Sequence, residues 1–548
     1  MFADLILTNA RVLTQDSANP VAEAVALADG RIMAVGQRAE VAARAGHETR
    51  VIDAAGRTVL PGFIESHLHL ALGGAELGHL QLGGVTGAEA VARAFHIFAM
   101  ANPDATLLMA QGGNYGMIGH AMTRADLDAI TPDRPVAVTA SDHHTVWANT
   151  AALRAAGILH GASTPPGHEI VIGPDGMATG ELREFEAFAP VIALGGEERL
   201  NLGIATGRNP QPWPDNAALA IDRAKVARGL AHCARHGITS MVNMDGNRYT
   251  LALLDGLRKQ GGLTARVKVP FHYKPDMTLA DLDEASALHH DFAGDWLTSG
   301  MVKFFMDGVI DSRTAFMLQD YVEQPGWRSA PLFPDFARVA TEVDRRGLQI
   351  AVHAIGDGAV RNTIDGIVAA QKANGARDAR HRIEHIELID RADIPRLAAL
   401  GITASLQPPH APGAMDFGLE PTCTTIGAAR LRDAFLCRTM AEAGAHVAFA
   451  SDWPVTDVAA LRGIRAALTR PVLAGGDDQR VNLEFALRAY TAGGAWAAHR
   501  DHLTGTIRPG MAGDLVMLSG DIQAVAPEEI DQLQVAMTIC GGRVTFGG

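Results

Sequence analysis

Cysteine is scarce: four residues in 548, Cys233, Cys423, Cys437 and Cys540, with no CxxC pair among them. A cysteine zinc site is therefore not expected, and scattered thiols fit a reducing compartment. Basic charge is short as well. Lys and Arg number 47 against 61 Asp and Glu, a formal net charge of -14. That balance favours solubility and argues against nucleic acid or an anionic membrane as main partner, and the arginines form no patch. No uninterrupted apolar run is long enough to span a bilayer. The start, Met1 to Asn9, has an early acid in Asp4 and no basic segment, so it reads as a strand and not as a signal peptide. These absences together predict a cytoplasmic protein.

What is present is an ordinary globular balance, 47% hydrophobic and 20% charged, in a chain too long for one small module. Short strand-like runs crowd both ends: 4–9, 24–28, 31–35 and 51–53, then 513–518, 535–540 and 543–546. Pattern and the usual closeness of termini predict one small β-sandwich domain built from 1–60 plus 505–548. Between them, strand-like and helix-like segments alternate, which argues for an α/β fold with a parallel sheet. Eight candidate strands are 58–64, 238–242, 267–271, 301–305, 348–352, 382–386, 402–406 and 446–450, with helices such as 216–236 and 335–346 between them. Eight βα units predict a (β/α)8 TIM barrel over 61–504, with a doubly wound sheet as the competing arrangement. Residues 75–215 are too many for one barrel connection and hold a strand-like run at 135–139, so they are expected to form an insertion after the first barrel strand, covering the active face.

Chemistry-bearing residues fall at strand ends. In His67-Leu68-His69 alternate side chains share one face, so both imidazoles point the same way and make a metal clip. A bare HxH also occurs as two satisfied polar residues in a loop. Lys303 lies among apolar neighbours in a strand, where an ammonium must pair, lose its charge or be modified. Pairing with Asp307 or Asp311 is the plain alternative, and carboxylation by CO2 would make an anion able to bridge two metals. His353 ends one strand, His385 another, and Asp452 follows a third. Several strand ends offering His or Asp at one face are hard to dismiss as structural.

The runs Leu60-Pro-Gly-Phe-Ile-Glu-Ser-His-Leu-His69, Val302-Lys303 with Asp307-Gly308, Val352-His353-Ala-Ile-Gly-Asp357, His381-Arg-Ile-Glu-His385 and Ser451-Asp-Trp-Pro454 resemble the amidohydrolase superfamily. The nearest branch is amidohydrolase family 3, with its N-substituted formamide deformylases. The resemblance covers nearly the whole chain, including Asp142-His-His-Thr-Val-Trp-Ala-Asn149 and Gly513-Asp-Leu-Val516. It implies a barrel with a flanking β-sandwich and a site for one or two metals, usually zinc, with manganese or another divalent ion as alternatives. His67 and His69 would hold the first metal, a carboxylated Lys303 would bridge, and His353 and His385 would hold the second. Asp452 would bind the first metal and act as base. Two departures stand out: Glu65 replaces an aspartate two positions before the first histidine, and His143 replaces a glycine.

The expected reaction is hydrolysis of a non-peptide C–N bond in a small-molecule amide, formamide or cyclic amide. A metal would activate water, and Asp452 would pass its proton to the leaving amine. Lactone or ester hydrolysis on the same site, and a barrel that binds ligand without chemistry, are the competing readings. His144 and Trp147 could line the pocket or simply pack. Arg313 could bind a substrate anion or pair with Asp307 or Asp311. His410, after the seventh strand, could stabilise an oxyanion. His289-His290 reads as a solvated pair, and Asp357 could orient His353 or cap a helix. A homo-oligomer is compatible with all of this.

Overall fold

The computed structural model describes every residue except Met1, Asp142, His144, Pro165, Pro166, Gly167, Asp245, Asp416 and Gly548. The chain is mixed α/β and divides into two compact units, Met1–His69 with Leu230–Gly548, and Leu70–Gly229. The second spans more than the 75–215 expected from sequence.

In the first unit two parallel sheets carry the strands that matter. One has the order Leu297–Thr298, Arg266–Lys268, Ile238–Asn243, Phe63–Leu68. The other runs Phe271–His272, Met301–Phe305, Gln349–Ala354, Arg382–His385, Thr403–Leu406, His446–Phe449. Every residue of Phe63–Leu68, Ile238–Asn243 and Gln349–Ala354 is buried. Strands covered on both faces need continuous burial and not alternation, which is why they read as apolar runs. Helices of the amphipathic kind flank them. Phe336–Arg345 buries Phe336, Val339, Ala340 and Val343, the spacing of one helical face.

Two expected strands are each split. The run 58–64 becomes Thr58–Pro61, antiparallel to Leu515–Leu518, and Phe63–Leu68, parallel to Ile238–Asn243. Gly62 is the handover point, where a Cβ would lie 2.1 Å from the Thr239 side chain. The run 267–271 becomes Arg266–Lys268 and Phe271–His272, interrupted at Pro270, which has no N–H to give a ladder. Backbone bonds also tie the last strand's exit to the first: Asp452 N donates to His67 O at 2.9 Å, and His69 N to Trp453 O at 2.8 Å.

Both termini enter one six-stranded sheet, ordered Arg543–Gly547, Val535–Cys540, Leu515–Leu518, Thr58–Pro61, Arg11–Leu13, Val21–Ala22. A four-stranded sheet of Arg31–Gly36, Ala24–Ala28, Ala3–Thr8 and Ala45–Asp53 accompanies it. Leu7, Val12, Val25, Val59, Leu515, Met537 and Ile539 share one buried cluster. These terminal strands belong to the same compact unit as the parallel sheets, joined by the buried Arg266–Asp514 ion pair at 2.7 Å.

The Leu70–Gly229 unit has its own six-stranded sheet, including Val136–Ala140 near the expected 135–139 run, with apolar clusters of its own. Among the described residues no helix is long and apolar enough to cross a membrane.

Candidate metal centre

The site begins with two charges on one short strand. Arg382 and Glu384 stand two apart in Arg382–His385 and so face the same way, both wholly buried. Arg382 Nε donates to Glu384 Oε1 at 2.6 Å and Nη2 to Oε2 at 2.9 Å, while Nη2 also reaches Ser66 O and Ser405 Oγ. Burial works against the charge on Glu384, but Arg382 and His67 hold its carboxyl well below the usual carboxylate range. Glu384 is thus an anionic acceptor, and His67 Nδ1 donates to its Oε2 at 2.8 Å.

That bond sets the tautomer of His67 and turns its Nε2 inward. His67 Nε2 lies 3.3 Å from Asp452 Oδ1, and His69 Nε2 lies 3.1 Å from the same oxygen. His385 Nδ1 sits 4.0 Å from Asp452 Oδ2 and 2.8 Å from Gln407 Oε1. Among the described residues, His67, His385 and Asp452 form a buried group whose donor atoms all lie within 4.8 Å of one another. Lone pairs converging on a carboxylate repel unless a positive centre sits among them. A proton or a divalent cation would supply it, and imidazole nitrogen with carboxylate oxygen is a donor set that suits zinc. The residues therefore fit a metal.

The backbone is strained where the ligand candidates lie. His385 has φ 76, Ile386 φ 49 and Asp452 φ 61. Non-glycine residues rarely adopt this left-handed region, and such strain concentrates at functional sites.

His353 packs against His385, ring centroids 4.5 Å apart, and against Phe305 at 4.6 Å. Burial and the Lys303 charge push its pKa down to about 3, and burial with His353 drives His385 well below the usual value. Both imidazoles are neutral, the form that binds metal. Lys303 is fully buried, its Nζ 4.9 Å from the Phe305 ring centroid, and its charge acts on both histidines. His410 stacks parallel to His385 at 6.0 Å, with Nδ1 3.5 Å from Glu387 Oε1. Burial opposes a charge on His410, but Glu387 and Asp452 outweigh it and raise its pKa.

The structure thus brings His67, His69, His353, His385 and Asp452 together, with Lys303 and His410 beside them. Other expectations change. Arg313 bonds Glu323, a third carboxylate, because Asp307 accepts backbone N–H groups of Phe316, Ile355 and Gly356 at 2.9–3.0 Å and Asp311 accepts Thr422 Oγ1. Trp147 is 1% exposed in the core of its unit, edge-on to Tyr115 at 5.1 Å, which is the packing role. His144 lies outside the described residues. Asp357 is the first residue of the helix Asp357–Asn374, where Gly356 takes the N-cap position with no side-chain cap bond, and the Asp357 carboxyl accepts N–H bonds from Leu318 and Gly358. His289 and His290 are exposed. His143 adopts φ 61, a left-handed conformation that favours glycine, and bonds Glu76 at 3.0 Å. Glu65 receives Ser451 N at 2.9 Å, and burial pushes its pKa up to about 8.

Sequence reasoning missed the roles of Glu384, Arg382, Gln407 and Glu387, and placed Asp307 as a partner for Lys303 or Arg313 when it accepts backbone N–H groups. A charged pair two apart in a buried strand was the readable signal for Arg382 and Glu384, the same signal that marked Lys303.

The chain belongs to the amidohydrolase family, whose pattern it matches over residues 50–546. It is a hydrolase acting on carbon–nitrogen bonds. It is 28% identical to the Arabidopsis thaliana protein LONG AFTER FAR-RED 3, over 99% of this chain and 92% of that one. It is 26% identical to the N-substituted formamide deformylase of Arthrobacter pascens, over 99% of this chain and 98% of that one. In fold it resembles an uncharacterized metal-dependent hydrolase of Pyrococcus horikoshii OT3, with a TM-score of 0.73 and 22% identity over 96% of this chain and 98% of that one.

Proposed function

We propose that the protein is a metal-dependent hydrolase of a small amide, formamide or cyclic amide, working in a closed (β/α)8 barrel flanked by a β-sandwich from both termini. The barrel reading is supported by the parallel order of the strands and by the backbone bonds between the exits of the first and last. One observation carries the functional reading: Glu384 fixes His67 so that two imidazole nitrogens meet one carboxylate oxygen of Asp452.

His67, His69 and Asp452 would hold one ion and His353 and His385 would hold a second if two bind, with Lys303, if carboxylated, as a further ligand. Zinc suits this set, and manganese is an alternative. A bound divalent metal lowers the pKa of water from about 15.7 towards about 7 and polarises the substrate carbonyl. Asp452 takes the proton of the attacking water and delivers it to the leaving amine. An amine leaves only when protonated, so a strand-end carboxylate with two oxygens in the site fits amide cleavage. Glu384 and Gln407 keep His67 and His385 in the ligating tautomer and orientation. His410, beside His385, donates to the developing oxyanion.

The test is a panel of N-substituted formamides, cyclic amides, lactones and esters assayed on metal-loaded protein, with the metal content measured. Amide turnover that depends on bound metal is expected. Ester or lactone turnover with no amide turnover would overturn the reading.

A further inference from the structure

Within the first unit a cavity reaches from His385 and His410 to Arg470, walled by Leu406, Phe435 and Phe449. Its free space is that of about one or two waters. Two of its polar side chains have donors left over. Arg470 is 6% exposed, and among the described residues its guanidinium makes one hydrogen bond, from Nη1 to Phe435 O at 2.9 Å. Among the described residues it makes no ion pair, and Asp478, which acts on it electrostatically, is bonded to Arg480. A buried guanidinium presents five N–H donors and normally meets a carboxylate. Gln407 is 5% exposed. Its Oε1 holds His385 Nδ1, and its Nε2 is buried with no hydrogen-bond partner among the described residues. The carboxyl of Glu387 also lines the cavity but faces His410 at 3.5 Å.

Leftover donors on an apolar wall, one of them cationic, call for a small negative acceptor. We propose that this cavity binds a small monovalent anion, of halide or formate size, through the Arg470 guanidinium and the Gln407 amide. The bound anion ties down the Gln407 amide from its Nε2 side, while Oε1 keeps hold of His385. Occupancy of the cavity therefore steadies a histidine of the metal centre without touching the metal. The site does not depend on which bond the enzyme cleaves.

Bromide tests this directly, because its anomalous scattering locates it. Crystals of the wild-type protein soaked in sodium bromide are expected to show a peak in contact with Arg470 and Gln407. Arg470→Met is expected to lose that peak and to weaken formate binding in solution calorimetry about tenfold or more. If Arg470→Met does not fold, Arg470→Lys keeps the charge but not the fork, and should still weaken formate binding severalfold. Absence of the bromide peak in wild type overturns the proposal. So does a formate affinity left unchanged in whichever variant folds. Absence of amide turnover in metal-loaded wild-type protein, with formate binding intact, would count against the hydrolase reading and not against the anion site.

Discussion

Glu384 Oε2 receives the Nδ1–H of His67 at 2.8 Å, and the same carboxylate is gripped by the buried guanidinium of Arg382. The pair links a charge inside the sheet to the orientation of the first ligand candidate. Glu384→Gln weakens both contacts. Metal affinity is expected to fall roughly 10–100-fold, the usual effect of losing a partner that orients a ligand. Competition with a metallochromic chelator measures it. Because Arg382 then loses its buried counter-charge, stability should also drop by a few kcal/mol, on the order of 3. An unchanged metal affinity would remove Glu384 from the site.

Asp452→Asn keeps the size of the side chain but removes the proton acceptor. Turnover of the best amide substrate is expected to fall at least about 100-fold, within the range for a lost general acid–base. Circular dichroism and the melting midpoint should stay near wild type. Near-normal turnover would exclude Asp452 as the base.

Lys303→Met fills the same buried space without the amine. If Lys303 as its carbamate joins two ions, the variant is expected to bind about one divalent ion fewer per chain. Plasma mass spectrometry of dialysed protein measures this. A crystal structure of the wild type showing a plain amine at Lys303 would count against a bridged pair.

How much of this was readable before the structure depended on periodicity and on company. Met301–Phe305 is one of the expected strands to the residue, because a doubly covered strand reads as a near-continuous apolar run, broken here only by Lys303. The split at Gly62 was not readable, since Leu60 and Phe63 look alike in sequence while they join different sheets. Histidines announced themselves by position after apolar runs. Gln407 and Glu387 did not, because an amide or carboxyl in a loop gains its meaning only from what folds against it. Trp147 stayed open for the opposite reason: a large aromatic next to polar residues reads equally as a pocket wall or as packing, and here it packs a core.

Acid stability offers an independent check in the second unit. Glu197 bonds His79 at 2.8 Å and Lys225 at 2.9 Å. Burial opposes its charge, yet these partners bring its pKa down to about 2 from 4.5. A depressed carboxylate contributes stability above its unfolded pKa and loses it as pH falls through the folded one. The contribution is therefore complete above about pH 5 and fades towards pH 2, with a ceiling on the order of 3 kcal/mol. Glu197→Gln is expected to lower stability at pH 7 and to flatten that acid limb in urea titrations. Parallel limbs in variant and wild type would show that Glu197 is not its source.

Asp452 and His67 are bonded through their own backbones as well as meeting through their side chains. The donors of the His67, His385 and Asp452 group meet in space although they lie far apart along the chain. During synthesis His67 and His69 leave the ribosome long before Asp452, the carboxylate they meet in the fold. An ion held by all three donors would have to wait until residue 452 has been made, and a nascent chain stalled before it would expose two histidines to any passing ion.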